Sequence, residues 1–236
     1  MKLPTTVALA ALALALPLAF AQDAATKKQE SVKPGINKNF LDPGLQLRDW
    51  IGRFEVESRE VYHAREDIIK ALELKPGMAV ADIGAGTGLY MKPFAKAVGD
   101  NGKVYAVDIS AAFVKGLKDR AKKAKFPQVE VVLCKEDSVE LKPESIDLAF
   151  VCDTYHHFEF PTSTLASIHR ALKPGGRLVI IDFERIEGTS SEWTMGHVRA
   201  GKEVFSAEIK AAKFEQVEEV KLDKLKDNYF LIFKKA

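Results

Sequence analysis

The stretch VADIGAGTGLY, residues 80–90, sets Gly84, Gly86 and Gly88 directly behind an apolar run that carries Asp82. Glycine is required where a backbone must turn sharply and lie against a ligand that a Cβ would obstruct. Two phosphate-gripping loops can be tested against it. A P-loop needs Gly-Lys-Ser/Thr at its end, and none follows here. The dinucleotide fingerprint needs Gly or Ala at its sixth place, which is Leu89 in this chain.

Outward from this loop the chain repeats one unit, a short β-branched run followed by a polar loop and a helical stretch. The runs cover 79–83, 103–109, 129–134, 146–152 and 177–183, and helical patterns fill 90–98, 111–124 and 162–172. A helix at 202–213 and two last strands, 214–222 and 229–235, complete the tail. Such alternation predicts an α/β fold, a doubly wound and mostly parallel sheet covered by helices, with ligands at the carboxyl ends of its strands. Ahead of it, Val61, Ile68, Ile69 and Leu72 fall at helical spacing, and Lys75-Pro76-Gly77 ends that segment. Residues 37–74 therefore read as one or two helices leading into a domain over 75–236.

Residues 1–21 carry one Lys, an apolar core from Val7 to Leu18 and small residues at Ala19 and Ala21, the pattern of an export signal cleaved after Ala21. The run is shorter than the roughly 18 apolar residues of a spanning helix, so no stable membrane insertion is expected after cleavage. Polar residues 22–36, with Pro34 and Gly35, read as a flexible leader. The chain has 236 residues, 47% hydrophobic and 29% charged, with a net charge of +2. Cleavage removes only Lys2 from the charged set. A near-balanced chain has no electrostatic reason to seek nucleic acid or anionic lipid, and the lysines of 118–125 are spaced as a solvated helix face.

Taken in order, ADIGAGTG, YAVDIS, KEDSVEL, IDLAFVCDTYHHF and ALKPGGRLVIIDF make residues 75–185 resemble the class I S-adenosylmethionine-dependent methyltransferases. The resemblance implies a Rossmann-like seven-stranded sheet of order 3-2-1-4-5-7-6 with its last strand antiparallel. It implies S-adenosylmethionine as cofactor, with Gly84, Gly86 and Gly88 against its amino-acid part and Asp82 orienting the loop amides and facing the ammonium. Asp108, with Ile109 beside it, would accept the ribose hydroxyls, as a carboxylate near this offset does for a dinucleotide. Asp137 and Ser138 correspond to the adenine-binding position, with Glu136 as the competing assignment. Asp153 and the segment through Phe158 would lie beside the reactive methyl, and Tyr62 on the leading helix would reach the cofactor end. Trp193, His197 and Arg199 fall where such proteins build a lid and acceptor pocket.

Tyr155 and His156 are the candidate catalytic pair, because a neutral His can take a proton near pH 7. Positioning alone also removes much of a methyl-transfer barrier. No metal is expected, since His156 and His157 are adjacent and no third ligand is spaced with them. The implied sheet order sets Cys134 and Cys152 three strand spacings apart, about 14 Å, beyond the roughly 7 Å that a disulfide spans. The expected function is methyl transfer to a small-molecule acceptor. The motifs of amino-group and cytosine nucleic-acid methyltransferases are absent, since the fourth strand leads into Asp153-Thr154-Tyr155 and Val151 precedes Cys152. An exported, non-catalytic small-ligand binder on the same scaffold is the alternative. An NAD-dependent oxidoreductase is the third reading, weakened by Leu89.

Overall fold

A computed structural model describes Met1 and residues 29–236. The expected signal segment, and the leader up to residue 28, lie outside the described residues. Seven strands form one sheet of order β3-β2-β1-β4-β5-β7-β6. They are β1 Ala79–Ile83, β2 Lys103–Asp108, β3 Val129–Leu133, β4 Ile146–Cys152, β5 Leu172–Phe183, β6 Phe214–Glu219 and β7 Asn228–Lys235. Pairing is parallel from β3 through β5, and β7 runs antiparallel to both β5 and β6. The order and the reversed last strand match the sequence expectation.

Every residue of β1 is buried, as a central strand covered on both faces requires. On one face, Phe94 of α4 (Met91–Val98) packs with Tyr90 and Phe150. On the other, α6 (Pro161–Ala171) and α8 (Lys202–Ala211) place Leu165, Ile168, Phe205 and Ile209 against β4, β5 and β7. Helix α5 (Ala111–Ala124) covers the 111–124 span expected of it. Ser110 caps its start by accepting the Phe113 amide, and Lys125 ends it in a left-handed turn.

The leading segment forms three helices rather than one or two: α1 Leu47–Phe54, α2 Glu60–His63 and α3 Arg65–Ala71. Strand β5 begins five residues earlier than expected, because Leu172 pairs with Ile146 before a register shift. The Pro174-Gly175-Gly176 run lies within that irregularity. The described part of the expected leader is anchored to the domain. The buried Glu159 accepts hydrogen bonds from Ser31 Oγ at 2.7 Å and the Gly35 amide at 2.9 Å, and the Val32 amide reaches the Glu159 carbonyl. A polar composition hid this anchorage because two of the three binding groups are main-chain amides, which every sequence has. Among the described residues no helix is long and apolar enough to cross a membrane.

Cys134 and Cys152 are free thiols just beyond β3 and at the end of β4, with β2 and β1 between those strands. Burial pushes the Cys134 thiol up to about 12 and the Cys152 thiol well above its ordinary value. Two thiols should therefore titrate in the unfolded, unreduced chain, and both should react slowly in the folded one. Titration with a chromogenic disulfide under the two conditions checks this, and fewer than two groups in denaturant contradicts it.

Candidate active site

The loop between β1 and α4 opens a cleft of about 740 Å³ at the carboxyl ends of the strands. Gly84 takes φ +76° and Gly86 φ +53°, both left-handed. A Cβ on Gly84 would stand 2.3 Å from the Thr154 methyl, so only a bare backbone fits there. Gly88 belongs elsewhere. Against expectation it does not line the cleft, and a Cβ on it would meet Leu117 of α5 at 2.6 Å, so this glycine permits loop-to-helix packing.

Three buried carboxylates line the cleft: Asp82, Asp108 and Asp153. Asp108 accepts the Gly86 amide at 2.8 Å through one oxygen and the Ser110 amide at 2.8 Å through the other. The amides of Gly84 and Ala85 are held by the Val107 carbonyl. The loop is thus oriented from β2, and Asp82 does not orient it as the sequence suggested. Asp153 has φ +47° and is held by the Arg59 guanidinium and by Asn228 Nδ2 at 2.7 Å. Burial, with Asp108 nearby, raises Asp82 to about 8. Burial also raises Asp108 to about 6 against its backbone hydrogen bonds, and Asp153 to about 6 against the opposing pull of Arg59.

Each of these carboxyls keeps its proton to higher pH in the folded chain than in the unfolded one, where an Asp titrates near 4. These three carboxyls therefore take up protons on folding between about pH 4 and about pH 8, and their contribution to stability falls as pH rises through that window. A cationic ligand prefers the ionised forms, so its affinity rises over the same range with release of protons. His157 and His197, lowered in the folded chain, oppose that slope below about pH 6.5, so the carboxyl effect shows above it: in melting curves of the ligand-free chain, wild type should lose stability relative to Asp82→Asn as pH rises from about 6.5 to about 8. An identical slope in that variant contradicts the assignment.

Aromatic rings from the leading segment close the mouth. Phe40, Trp50 and Phe54 form a wall with Phe113 of α5, Trp50 lying 5.0 Å from Phe40 and 5.2 Å from Phe54. Neither these four nor Arg59 was singled out from the sequence. Tyr62 stays out of the cleft, its ring beneath Arg65, and the residues from that helix region that line it are Arg59, Glu60 and Val61. Asp137 and Ser138 are also outside, because the turn pairing Lys135 with Ser138 directs Lys135 and Glu136 to the cleft. The competing assignment, Glu136, is the one in place. Ile109 lines the cleft as expected.

Tyr155 is fully buried away from the cleft, its hydroxyl donating to Glu208 at 2.9 Å, and burial beside Glu208 drives its titration far above the ordinary range. It serves packing and has no access to a substrate. Arg199 pairs with the same Glu208. His156 does line the cleft. Its Nδ1 lies 2.7 Å from Asp182 Oδ1, which leaves Nε2 as the available nitrogen. His157 and His197 line the cleft beside it, with their Nε2 atoms 3.2 Å apart, and Trp193 stacks on His197 at 4.6 Å. Burial, followed by the neighbouring histidines, depresses His157 to about 2 and lowers His197 as well. Both rings are therefore neutral near pH 7. The expectation that no third histidine joins the adjacent pair is overturned, because helix α7 (Glu192–His197) carries His197 across the cleft.

Residues 81–180 match the methyltransferase domain family. A ubiquinone/menaquinone biosynthesis C-methyltransferase, UbiE, from Burkholderia orbicola is 30% identical over 118 residues, 50% of this chain and 48% of that protein. The chain thus spans half or less of the length of the curated relatives it matches. A solved S-adenosylmethionine-dependent methyltransferase from Aquifex aeolicus superposes with a TM-score of 0.67 at 25% identity, covering 86% of this chain and 99% of that one. Phosphoethanolamine N-methyltransferase 2 of Haemonchus contortus, solved with S-adenosyl-L-methionine, shares the fold with a TM-score of 0.60 at 20% identity, covering 81% and 60%. The residues present fit that cofactor. Bare main chain at Gly84 and Gly86 leaves room for its amino-acid part, and three buried carboxylates of raised pKa suit a ligand that brings two positive centres and hydroxyl donors. By its sheet order, its glycine loop and the match over residues 81–180, the chain carries a methyltransferase domain on the class I S-adenosylmethionine-dependent methyltransferase fold.

Proposed function

We propose that this protein transfers a methyl group from S-adenosylmethionine to a small-molecule acceptor by in-line displacement. The observation that carries the reading is one continuous cleft that joins the carboxylates around the glycine loop to a group of histidines and aromatic rings. Bound S-adenosylmethionine supplies an electrophilic methyl carbon and a neutral thioether leaving group. Around it, Asp108 and Glu136 hold the adenosyl end, while Asp82 and Asp153 face the cationic part. His156, oriented by Asp182, takes the acceptor proton through Nε2. The wall formed by Phe40, Trp50, Phe54 and Phe113 excludes water and supports a compact apolar or hydroxylated acceptor over a polymer, as does the near-zero net charge.

Residues 1–21 support export of the chain, which sets the competing reading, a non-catalytic ligand binder on this scaffold. Calorimetry with S-adenosylmethionine, followed by incubation of the labelled cofactor with an extract of the native organism, separates the two. Saturable binding with transfer of label to a small product supports the enzyme. Binding without transfer favours the binder, and no binding overturns both.

A further inference from the structure

Sequence spacing gives no hint that three histidines from two separate segments meet at one end of the cleft, yet their ligand-capable atoms all lie within 4.8 Å of one another. His156 and His157 come from the turn after β4, and His197 from the end of α7. We propose that His156, His157 and His197 form a binding site for one divalent transition-metal ion of the zinc, cobalt or nickel type, with Asp182 as the carboxylate that orients His156.

Three observations support it. Tetrahedral bonds of about 2.0–2.1 Å place ligand nitrogens about 3.3 Å apart. The His157 and His197 Nε2 atoms are already 3.2 Å apart, so an ion can replace their mutual hydrogen bond with little movement. The Nδ1 of His156 contacts Asp182 Oδ1 at 2.7 Å, and the same carboxylate accepts the His156 amide at 3.1 Å, so Nε2 faces metal binding with the outer carboxylate partner such ligands usually have. The rings are held in place from outside, His197 by stacking on Trp193 and His157 by the edge of Phe40 at 5.1 Å.

Three imidazoles without a directly ligating carboxylate select borderline metals over magnesium or calcium. The buried charge of Asp182 favours a cation, and Lys33, whose Nζ donates to the His197 carbonyl at 2.6 Å, opposes it from the main-chain side. Three protein ligands leave a coordination position for an oxygen or sulfur donor from the cleft. In that case the ion takes the Nε2 that otherwise serves as base, and the acceptor is a group able to bind a metal, such as a phenol, enol or thiol. That last step rests on the methyl-transfer reading, whereas metal binding does not.

Cobalt(II) provides the probe, because its visible bands report low-coordinate nitrogen sites. Equilibrium dialysis of the full chain, stripped with chelator, should give a single equivalent of cobalt with those bands, displaced by zinc. His197→Ala and the milder His197→Gln should lose it, Asp182→Asn should weaken it by about 10- to 100-fold, and the surface variant His63→Ala should keep it. Absence of stoichiometric uptake, or uptake unchanged in both His197 variants, overturns the site. Calorimetry with S-adenosylmethionine on the same stripped protein keeps the two readings apart. Cofactor binding without metal uptake removes only the metal site, and metal uptake without cofactor binding removes only the methyl-transfer reading.

Discussion

Asp108→Asn should lower affinity for S-adenosylmethionine by roughly 100-fold, the largest loss expected from a single change of near-identical shape. The carboxylate already accepts the Gly86 and Ser110 amides, one on each oxygen. Every carboxylate oxygen has a further lone pair, and these are the ones available to two ribose hydroxyls. Hydrogen bonds to a charged acceptor contribute about 1.5–3 kcal/mol each, so losing the charge on two of them accounts for about 3 kcal/mol, or roughly two decades of affinity. An Asn also turns an NH₂ toward one of the two backbone amides, placing donor against donor and loosening the loop from β2. Titration calorimetry of the folded variant, checked by circular dichroism, measures the effect. An affinity within about threefold of wild type would sink the assignment of Asp108.

Gly84→Ala should destabilise the chain by about 3 kcal/mol, lowering the melting temperature by roughly 6–12 °C for a domain of this size. Two terms add. Alanine at φ +76° costs about 1–2 kcal/mol because its Cβ crowds the following carbonyl. The remainder comes from the added carbon, which would lie 2.3 Å from Thr154 Cγ2 and 2.9 Å from Thr154 Cβ. Thr154 cannot simply rotate away, since its hydroxyl donates to the Cys152 carbonyl at 2.9 Å and its own Cβ is too close. Pairing the change with Thr154→Gly removes the collision and leaves the backbone term. The double variant should therefore be less destabilised than the two single effects predict when summed. Strict additivity in denaturant unfolding would show that the loop yields and that its shape is not set by Thr154.

The fold was legible because its signals are local. Apolar runs of five to seven residues place 79–83, 146–152 and 177–183 in one buried sheet wherever the rest of the chain goes. Positions tied to a strand end were equally readable. Asp108 and Ile109 follow β2, Gly84 and Gly86 follow β1, and Asp153 and His156 follow β4, so each had to open on the same edge of the sheet. Errors appeared where a single turn decides which way a side chain faces. Tyr155 and His156 are neighbours, yet one short turn sends the tyrosine into the core toward Glu208 and the histidine into the cleft beside Asp182. At Asp137 and Ser138 the Lys135–Ser138 bridge rotates the chain and leaves Glu136 facing the ligand side.

The sequence by itself determined a parallel sheet, a glycine turn that needs a bare backbone, and acids at the ends of neighbouring strands, since these follow from periodicity, steric allowance and strand direction. Only the tertiary structure decided which side chains from outside the matched domain meet at the cleft. Phe40, Trp50 and Arg59 reach it from the segment before that domain, and His197, which the resemblance set near an acceptor pocket, meets His157 from the segment after it. Their meeting is set by long-range packing of those segments on the sheet edge, and no local pattern of residues encodes which side chains such packing brings within a few ångströms of one another.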